Sequence, residues 1–210
     1  MCGICGFYSF DKENNVDQKK KFLSSMSKKL EHRGPDAIGY YNKENVYLGH
    51  TRLSIIDLDK RSNQPFLSDD NKKILIFNGE IYNFQKIKKI LLDKGLNFRT
   101  SGDTEVLLKS YEFWGEKMLD YIDGMFAFTI VDFNKGIFFS ARDHFGQKPF
   151  FYTFQNGSFI FSSELTSLMM HPQVSKEIKI ENIISYLHHD SFVGDQTPLK
   201  DVYKLEPSEY

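Results

Sequence analysis

The spacing of hydrophobic positions predicts helices and strands in separate blocks along the chain. Apolar residues at three- and four-residue spacing predict helices over 17–31, between Asn83 and Gly95, and over 104–114, and shorter helices are expected at 118–122, 164–170 and 181–188. Residues 11–15 are expected to form a polar turn. Short apolar or alternating runs bounded by turn residues predict strands at 6–10, 38–41, 46–56, 74–77, 125–132, 137–141, 150–154 and 158–161.

Polar residues at the boundaries of the predicted helices have turn and cap chemistry. Asp17, Asn83 and Asp103 stand where an N-cap is expected, because their side chains can accept a hydrogen bond from the first turn. Gly95 and Gly115 follow the last apolar positions of two helices, as helix-ending glycines commonly do. The boundaries therefore agree with the hydrophobic spacing.

The predicted strands point to an α+β fold with antiparallel sheets. The turns Asn134-Lys135-Gly136 and Asn156-Gly157 predict two hairpins, which we expect to form one antiparallel meander. Because helices and strands do not alternate, a parallel doubly wound sheet is disfavoured. We expect one domain over residues 1–170 and an extension over 171–210.

Composition and charge exclude several classes of function. Lys plus Arg number 27 and Asp plus Glu 28, so a formal charge of −1 gives no general attraction to nucleic acid or to an anionic membrane. The longest apolar run, residues 125–131, is too short to span a bilayer. We therefore expect a soluble, cytoplasmic protein that binds a small neutral or zwitterionic ligand.

The start of the chain, Met1-Cys2-Gly3, offers a nucleophile. If Met1 is removed, Cys2 carries a thiol and a free α-amine, whose ordinary pKa values are about 8.5 and about 7.7 to 8.0. The amine can then accept the thiol proton without a histidine. Residue 2 alone could thus supply both groups that acyl transfer needs.

Two other interpretations of Cys2 remain open from the sequence. A cysteine in a folded protein is often a small buried hydrophobe. Alternatively, Cys2 and Cys5 form a Cys-x-x-Cys pair that binds metal or exchanges disulfides, although these are the only two cysteines and a structural zinc needs four ligands.

Three further polar sites also have ordinary structural explanations. Arg52 interrupts the apolar run of the predicted strand 46–56 and is either a surface residue or a bidentate ligand for a carboxylate. Asn78-Gly79 is typical of a tight turn, but an amide side chain beside a glycine N–H can also supply the two donors of an oxyanion hole. His32-Arg33-Gly34-Pro35 is a helix terminator by composition.

Motifs from residue 1 to 165 resemble, in the same order, the glutaminase half of glutamine-dependent asparagine synthetases, which are class II glutamine amidotransferases. The shared runs are Met1-Cys2-Gly3-Ile4, His32-Arg33-Gly34-Pro35-Asp36, Arg52-Leu53-Ser54-Ile55-Ile56-Asp57, Gln64-Pro65, Asn78-Gly79-Glu80-Ile81-Tyr82-Asn83, Ser101-Gly102-Asp103-Thr104-Glu105, Gly124-Met125-Phe126-Ala127-Phe128, Ala141-Arg142-Asp143 and Ser163-Glu164-Leu165.

The resemblance implies a fold and a set of catalytic groups. The fold would be the N-terminal-nucleophile αββα sandwich, with two antiparallel sheets between helical layers. Cys2 would attack the side-chain amide of glutamine, and the Asn78 side chain and the Gly79 N–H would hold the oxyanion. Arg33 would order a loop near the nucleophile. Cys5 and His144 depart from the family pattern without touching this chemistry.

The resemblance also implies how L-glutamine would be bound. Arg52 would bind its α-carboxylate, and Asp103 with the Gly79-Glu80 segment would surround its α-ammonium. The backbone of Leu53, Ser54, Ile55 and Ile56 would form the pocket wall. No metal or cofactor is expected in this chain.

An asparagine synthetase also needs a domain that activates aspartate with ATP and magnesium, and the resemblance implies that such a domain is a partner. Its Ser-Gly-Gly-x-Asp-Ser loop has no counterpart here, since the sequence contains no Gly-Gly pair. Residues 198–210 resemble the connector to that domain. The acceptor of ammonia, aspartate or another carboxylate, stays open, as does a homodimer. A different class of function, a catalytically silent module that senses glutamine or docks on a synthetase, is the alternative.

Overall fold

Two antiparallel sheets form the centre of the computed structural model, which describes residues 1–10 and 15–210; the turn predicted at 11–15 lies almost wholly outside them. One sheet has six strands in the order β10-β8-β9-β1-β3-β2, and the other has four in the order β4-β5-β6-β7. The strands are β1 (Gly3–Ser9), β2 (Ala37–Lys43), β3 (Val46–Arg52), β4 (Phe66–Leu67), β5 (Lys73–Ile81), β6 (Gly124–Asp132), β7 (Ile137–Arg142), β8 (Phe151–Gln155), β9 (Ser158–Ser162) and β10 (Tyr203–Lys204).

Helices cover the outer face of each sheet. The α-helices of the described residues are α1 (Val16–Lys28), α2 (Phe84–Asp93), α3 (Asp103–Trp114), α4 (Leu165–Leu168) and α5 (Ile180–His189), and short 3₁₀ turns occupy Glu31–Arg33, Lys60–Ser62 and Gly115–Asp120. Helices α1 and α4 pack on the six-stranded sheet, whereas α2 and α3 pack on the four-stranded sheet.

The alternation of side chains along the strands creates three separate cores. In β1, Cys5 and Phe7 point outward to α1, whereas Ile4 points inward to the other sheet. In β5, Phe77 points outward to α2 and α3, and Ile76 points inward. Three buried interfaces separate four layers, so the predicted αββα sandwich with antiparallel sheets is confirmed.

Helix α1 begins earlier than its hydrophobic spacing predicts. Asn15, not Asp17, is its N-cap, and the Asn15 side chain accepts a hydrogen bond from the Gln18 N–H at 3.1 Å. Leu23 and Met26 bury the apolar face of the helix. The general placement is right, but the predicted cap is wrong and the helix ends at Lys28 rather than at residue 31.

The prediction of a single meander is wrong. Strands β6 and β7 pair in the four-stranded sheet, and β8 and β9 pair in the six-stranded sheet. The segment 143–150 crosses between them, and the buried carboxylate of Asp143 holds its first half. That carboxylate accepts backbone hydrogen bonds from Phe126, Phe145, Gln147 and Lys148.

Strand β3 ends at Arg52, although the hydrophobic run predicts a strand to Ile56. The Arg52 guanidinium donates to the backbone carbonyls of Asp57 and Asp59, which draws the chain back after the strand. Ile55 and Ile56 are consequently exposed rather than paired.

The Asn78-Gly79 step does not form the predicted turn. It lies inside the nine-residue strand β5, where Asn78 pairs with Ala127 and Gly79 with Phe126 of β6. A side chain at Gly79 would collide with the Met125 carbonyl oxygen, so this glycine permits close approach of two strands. Its local sequence favours a turn, but nine paired residues outweigh that preference.

The C-terminal segment packs on the six-stranded sheet. The tail predicted as irregular contains β10, which pairs with β8, and Leu199, Val202 and Leu205 are buried. A domain boundary at residue 170 stays a prediction. In the described ranges, no helix has the length and apolar composition needed to cross a membrane.

Candidate active site

One pocket at the edge of the two sheets gathers most of the predicted site residues. The members of the predicted set that line it are Cys2, Arg52, Leu53, Ile55, Ile56, Asn78, Gly79, Glu80 and Asp103. Ser54 is not among its lining residues, and its N–H donates instead to the Asp36 carboxylate at 2.7 Å. The pocket thus assembles residues from positions 2 to 103.

Strand alternation explains why Cys2 and Asn78 approach the same space. Cys2 directly precedes β1 and is two residues before Ile4, whose side chain lies between the sheets. Because alternate residues of a strand point to the same face, Cys2 lies on the inner side as well. Asn78 follows Ile74 and Ile76 on the inner face of β5. Residues of two different sheets therefore converge at one end of the inner core.

The Cys2 thiol lies against the backbone of Leu53. Its sulfur accepts a hydrogen bond from the Leu53 N–H at 3.4 Å and lies 3.7 Å from the Leu53 carbonyl oxygen. Burial raises the pKa of this thiol, and the Leu53 contact and the terminal amine offset part of that rise. The thiol is therefore protonated at neutral pH and needs a base to become a nucleophile.

Arg33 fixes the backbone of Cys2. Its Nε donates to the Cys2 carbonyl oxygen at 3.0 Å, and its Nη1 donates to Glu164 at 2.9 Å. Burial opposes ionisation of Glu164, but hydrogen bonds from Arg33 and His32 outweigh it and hold the pKa of Glu164 below its usual range. Arg33 thus ties the residue at position 2 to the start of α4.

Asn78 carries an amide side chain that has no hydrogen-bond partner in the part of the chain that the structure describes. It is 1% exposed, and neither its side-chain nitrogen nor its oxygen hydrogen-bonds to any residue of the described ranges. Leaving a buried polar group unsatisfied costs about 1 to 3 kcal/mol, so such a group marks a site where a ligand completes the hydrogen bonds. The amide faces the pocket that Cys2 lines.

The Gly79 N–H lies on the side of β5 that faces away from β6, and Gly79 lines the same pocket as Asn78. In β5, the N–H groups of Phe77 and Ile81 face away from β6, donating to Gln64 at 2.6 Å and to Asp103 at 3.0 Å. Because alternate residues of an antiparallel strand point their N–H groups to the same side, the Gly79 N–H lies between these two. An amide side chain and a backbone donor therefore stand next to each other.

Asp103 is the first residue of α3, and the prediction that it caps this helix is wrong. Gly102 occupies the N-cap position, and the Asp103 carboxylate reaches instead to the Ile81 N–H. Burial raises the pKa of Asp103 to about 6, helped by the negative charge of Glu80. A cationic ligand beside this carboxyl would relieve that cost.

Arg52 organises the wall of the pocket. Its guanidinium donates to the Asn63 side chain at 2.5 Å and to the Asp59 carbonyl at 3.0 Å, in addition to the Asp57 carbonyl. These contacts use three of its five donors, and its side chain also lines the pocket. Binding of a carboxylate by Arg52 stays a prediction.

Sequence reasoning assigned no role to several polar lining residues. Asp57 accepts hydrogen bonds from the Asp59 N–H, from the Ser62 hydroxyl and from both the N–H and the hydroxyl of Ser101. Burial opposes its ionisation, but these bonds hold its pKa well below the usual range. Gln64 joins β5 to α3, where its amide also contacts Thr104 at 3.4 Å. The motifs Arg52 to Asp57 and Gln64-Pro65 were the only signals for them. Lys148 also lines the pocket and had no such signal.

Cys5 belongs to a different part of the molecule from Cys2. It is fully buried on the outer face of β1, 3.3 Å from the Ser27 hydroxyl, and burial raises its pKa to about 12. Because Cys2 is on the same inner face as Ile4, whereas Cys5 is on the outer face, the two thiols lie on opposite sides of the sheet. A shared metal ion or a disulfide exchange between them is therefore wrong for this fold.

Comparison with known families agrees with this geometry. The family model described as a glutamine amidotransferase domain matches residues 1–210. The chain belongs to this family. The prediction of family membership from the sequence motifs is confirmed.

This amidotransferase domain is similar to part of several asparagine synthetases. Glutamine-hydrolysing asparagine synthetase 3 of Bacillus subtilis is 35% identical over 210 residues, which are 99% of this chain and 31% of that protein. Asparagine synthetase B of Escherichia coli is 34% identical, covering 96% of this chain and 37% of that protein. The chain spans about a third of the length of these relatives.

Two solved structures share the fold. The glutamine phosphoribosylpyrophosphate amidotransferase of Bacillus subtilis covers 80% of this chain and 43% of its own, with a TM-score of 0.64 and 22% identity. A structure described as the allosteric regulatory enzyme of purine biosynthesis gives a TM-score of 0.67 at 21% identity. At such identities the likeness shows the fold alone, and it confirms the predicted αββα sandwich.

Proposed function

We propose that this amidotransferase domain hydrolyses L-glutamine to glutamate and ammonia with Cys2 as the nucleophile. The observation that carries the proposal is the amide of Asn78, which has no partner among residues 1–10 and 15–210 and is buried in the pocket that Cys2 and Gly79 line. A site for a transient oxyanion needs donors that stay unused until charge develops, and this amide meets that requirement. Membership of the glutamine amidotransferase family supports the choice of substrate.

The chemistry begins with loss of Met1, which frees the Cys2 α-amine. The amine takes the thiol proton, and sulfur attacks the amide carbon of glutamine. The carbonyl oxygen becomes an oxyanion that the Asn78 side chain and the Gly79 N–H stabilise. When this intermediate collapses, the C–N bond breaks and the nitrogen leaves as ammonia with the proton from the amine. Water then attacks the thioester through a second oxyanion, releasing glutamate and restoring the thiol.

The remaining lining residues recognise the amino-acid end of glutamine. Asp103 and Glu80 provide negative charge for the α-ammonium, and the pKa of Asp103 near 6 leaves it ionised at neutral pH. Arg52 faces the α-carboxylate with the donors that its loop contacts leave free. The backbone from Leu53 to Ile56 forms the wall, although Ser54 stands outside the lining set.

The ammonia is proposed to serve a synthetase partner. Similar proteins are named glutamine-hydrolysing asparagine synthetases and are about three times as long, which supports an ATP-dependent domain as the recipient. Aspartate is the first candidate acceptor, and ATP and magnesium would act in that domain only. A reactive thiol at Cys2 suits the reducing cytoplasm.

Intact mass and ammonia release test this proposal together. We expect a mass without Met1, one covalent adduct with a diazo-ketone analogue of glutamine, and ammonia released from glutamine at a rate that ATP does not change. A chain that binds glutamine but forms no adduct and releases no ammonia would be a silent sensing module. Asparagine made by the purified chain would overturn the division between two domains.

Replacing Asp103 by asparagine should raise KM for glutamine by roughly 10- to 100-fold with a smaller effect on kcat, because a hydrogen bond to a charged group contributes about 1.5 to 3 kcal/mol. Protonation of Asp103 below a pKa of about 6 removes the same charge. In the wild type, kcat/KM should therefore fall as the pH drops through 6, and Asp103→Asn should lose this step.

A second buried aspartate, Asp132, provides a control that distinguishes loss of substrate binding from loss of protein stability. Asp132 is also buried, but it contacts Tyr111 and the turn after β6 and does not line the pocket. Asp132→Asn should lower the melting temperature without changing KM. An unchanged KM in Asp103→Asn would remove this residue from the binding site.

A further inference from the structure

Lys148 is a buried lysine that the proposed chemistry does not use. It is 5% exposed and lies in the segment that crosses between the sheets, where its N–H donates to Asp143 at 2.9 Å. Its own carbonyl accepts a hydrogen bond from Arg142 at 2.7 Å. Its backbone is therefore fixed on both sides, and its side chain lines the Cys2 pocket.

The ammonium of Lys148 has a weak partner. Its Nζ lies 3.2 Å from the Met1 sulfur, and within the described ranges no carboxylate lies within 4 Å of it. A thioether is a poor acceptor for a buried cation. Removal of Met1 takes even this partner away and leaves the ammonium in the pocket that Cys2 lines.

Neighbouring charges do not neutralise Lys148 by direct contact. Burial and the positive charge of Arg33 lower the pKa of Lys148, while the charges of Asp143, Glu80 and Cys2 act in the other direction. The Asp143 carboxylate already accepts four backbone hydrogen bonds. Glu80 is only partly buried on β5, where water screens its charge.

Cys2 itself meets charges of both signs. Burial and the charge of Asp103 at the start of α3 oppose its thiolate, whereas the α-amine of Met1 and Arg52 at the end of β3 favour it. Lys148 adds a buried cation to the pocket that Cys2 lines, and a nearby cation favours the thiolate.

We propose that Lys148 is a positioning residue that sets the protonation state of Cys2. Once Met1 is removed, its ammonium favours the thiolate and disfavours the protonated α-amine, so that both groups of the nucleophile lose protons at lower pH. This inference rests on the proposed role of Cys2. The geometric basis is that the Lys148 Nζ lies 3.2 Å from the side chain of the residue next to Cys2, and that both residues line one pocket. A nearby positive charge favours the charged form of a thiol and the neutral form of an amine.

Alkylation of Cys2 tests the inference without requiring glutamine turnover. The processed wild type, Lys148→Met, Lys148→Gln and Lys148→Arg would be treated with iodoacetamide from about pH 5.5 to 9.5, and adducts counted by intact mass. Cys5 is fully buried, so peptide mapping should place the adduct on Cys2. Thermal unfolding of each variant shows whether it is folded. Lys148→Gln also removes the positive charge but keeps a polar side chain, so the experiment can be carried out even if Lys148→Met does not fold.

Both neutral variants should move the midpoint of the alkylation profile to higher pH by about one unit, which makes the rate at pH 7 about tenfold lower. Lys148→Arg should restore the wild-type profile. Lys204→Met is the control, since Lys204 is also partly buried with a pKa lowered by burial, yet its Nζ contacts the Phe192 carbonyl, outside the pocket.

Two outcomes would overturn the inference: neutral variants with the wild-type midpoint, or an arginine variant that behaves like the neutral ones. Failure of the proposed function looks different. In that case the neutral Lys148 variants would still move the midpoint of Cys2 alkylation to higher pH, but the wild type would release no ammonia from glutamine. Ammonia release with an unchanged profile in Lys148→Gln would refute only the role of Lys148.

Discussion

Cys2→Ala is expected to abolish glutamine hydrolysis, with a residual rate at least about 10⁴-fold below the wild type, because the covalent step has no other nucleophile. The free energy of unfolding should change by no more than about 1 kcal/mol, since the Cys2 side chain is only partly buried and contacts the backbone of Leu53. Ammonia release and thermal unfolding of the same preparation measure both quantities.

Cys5 offers a matched control for this variant. It is fully buried among outer-core residues and contacts Ser27, so Cys5→Ala should lower stability by about 1 to 2 kcal/mol while glutamine hydrolysis continues. We therefore expect Cys2→Ala to lose activity and keep its stability, and Cys5→Ala to lose stability and keep its activity. Wild-type turnover by Cys2→Ala would show that the nucleophile lies elsewhere.

Replacing Asn78 should give the second-largest effect. Asn78→Ala and the volume-matched Asn78→Leu should lower kcat by roughly 10² to 10³ and change KM much less, because the amide meets a charge that exists only in the tetrahedral intermediates. In the free protein this amide has no partner within the described ranges. Asn78→Leu should therefore keep or raise the melting temperature, since it removes a buried polar group that costs about 1 to 3 kcal/mol.

Asn182 provides the contrasting case. Its side chain is also buried, but its amide donates to the Thr197 carbonyl at 2.7 Å. Asn182→Leu should lose stability and keep kcat, because it breaks a satisfied hydrogen bond outside the pocket. A large loss of stability in Asn78→Leu with unchanged kcat would mean that Asn78 has a structural role.

Much of the fold was predictable because alternation and helical spacing are local signals. The strands β6 to β9 and the helices α1, α2 and α3 lie close to the segments predicted from hydrophobic spacing. The assignment of the two hairpins to different sheets was not predictable, because it depends on Asp143 and on contacts between distant residues. Asn78-Gly79 was misread for the same reason, since its pairing partner lies about 50 residues away in β6.

The candidate site followed from motifs rather than from spacing. Cys2, Asn78 and Asp103 were each singled out, but a turn or a cap explained two of them equally well from the sequence alone. What the sequence could not supply was the environment: the unpartnered state of Asn78, the loop contacts of Arg52 and the buried position of Lys148 all depend on tertiary packing. Lys148 in particular stands more than 140 residues from Cys2 in the chain.

The nucleophile and the proposed oxyanion donors belong to different sheets, and no covalent path of a few residues connects them. Their separation is set by the side chains between the sheets, among them Ile4, Ile76 and Phe161. A displacement of about 1 Å in such a geometry can cost about 10²-fold in rate. A shift of one sheet relative to the other would therefore lower the rate of turnover. A neighbouring domain that presses only on the outer helices could adjust the supply of ammonia without touching the pocket.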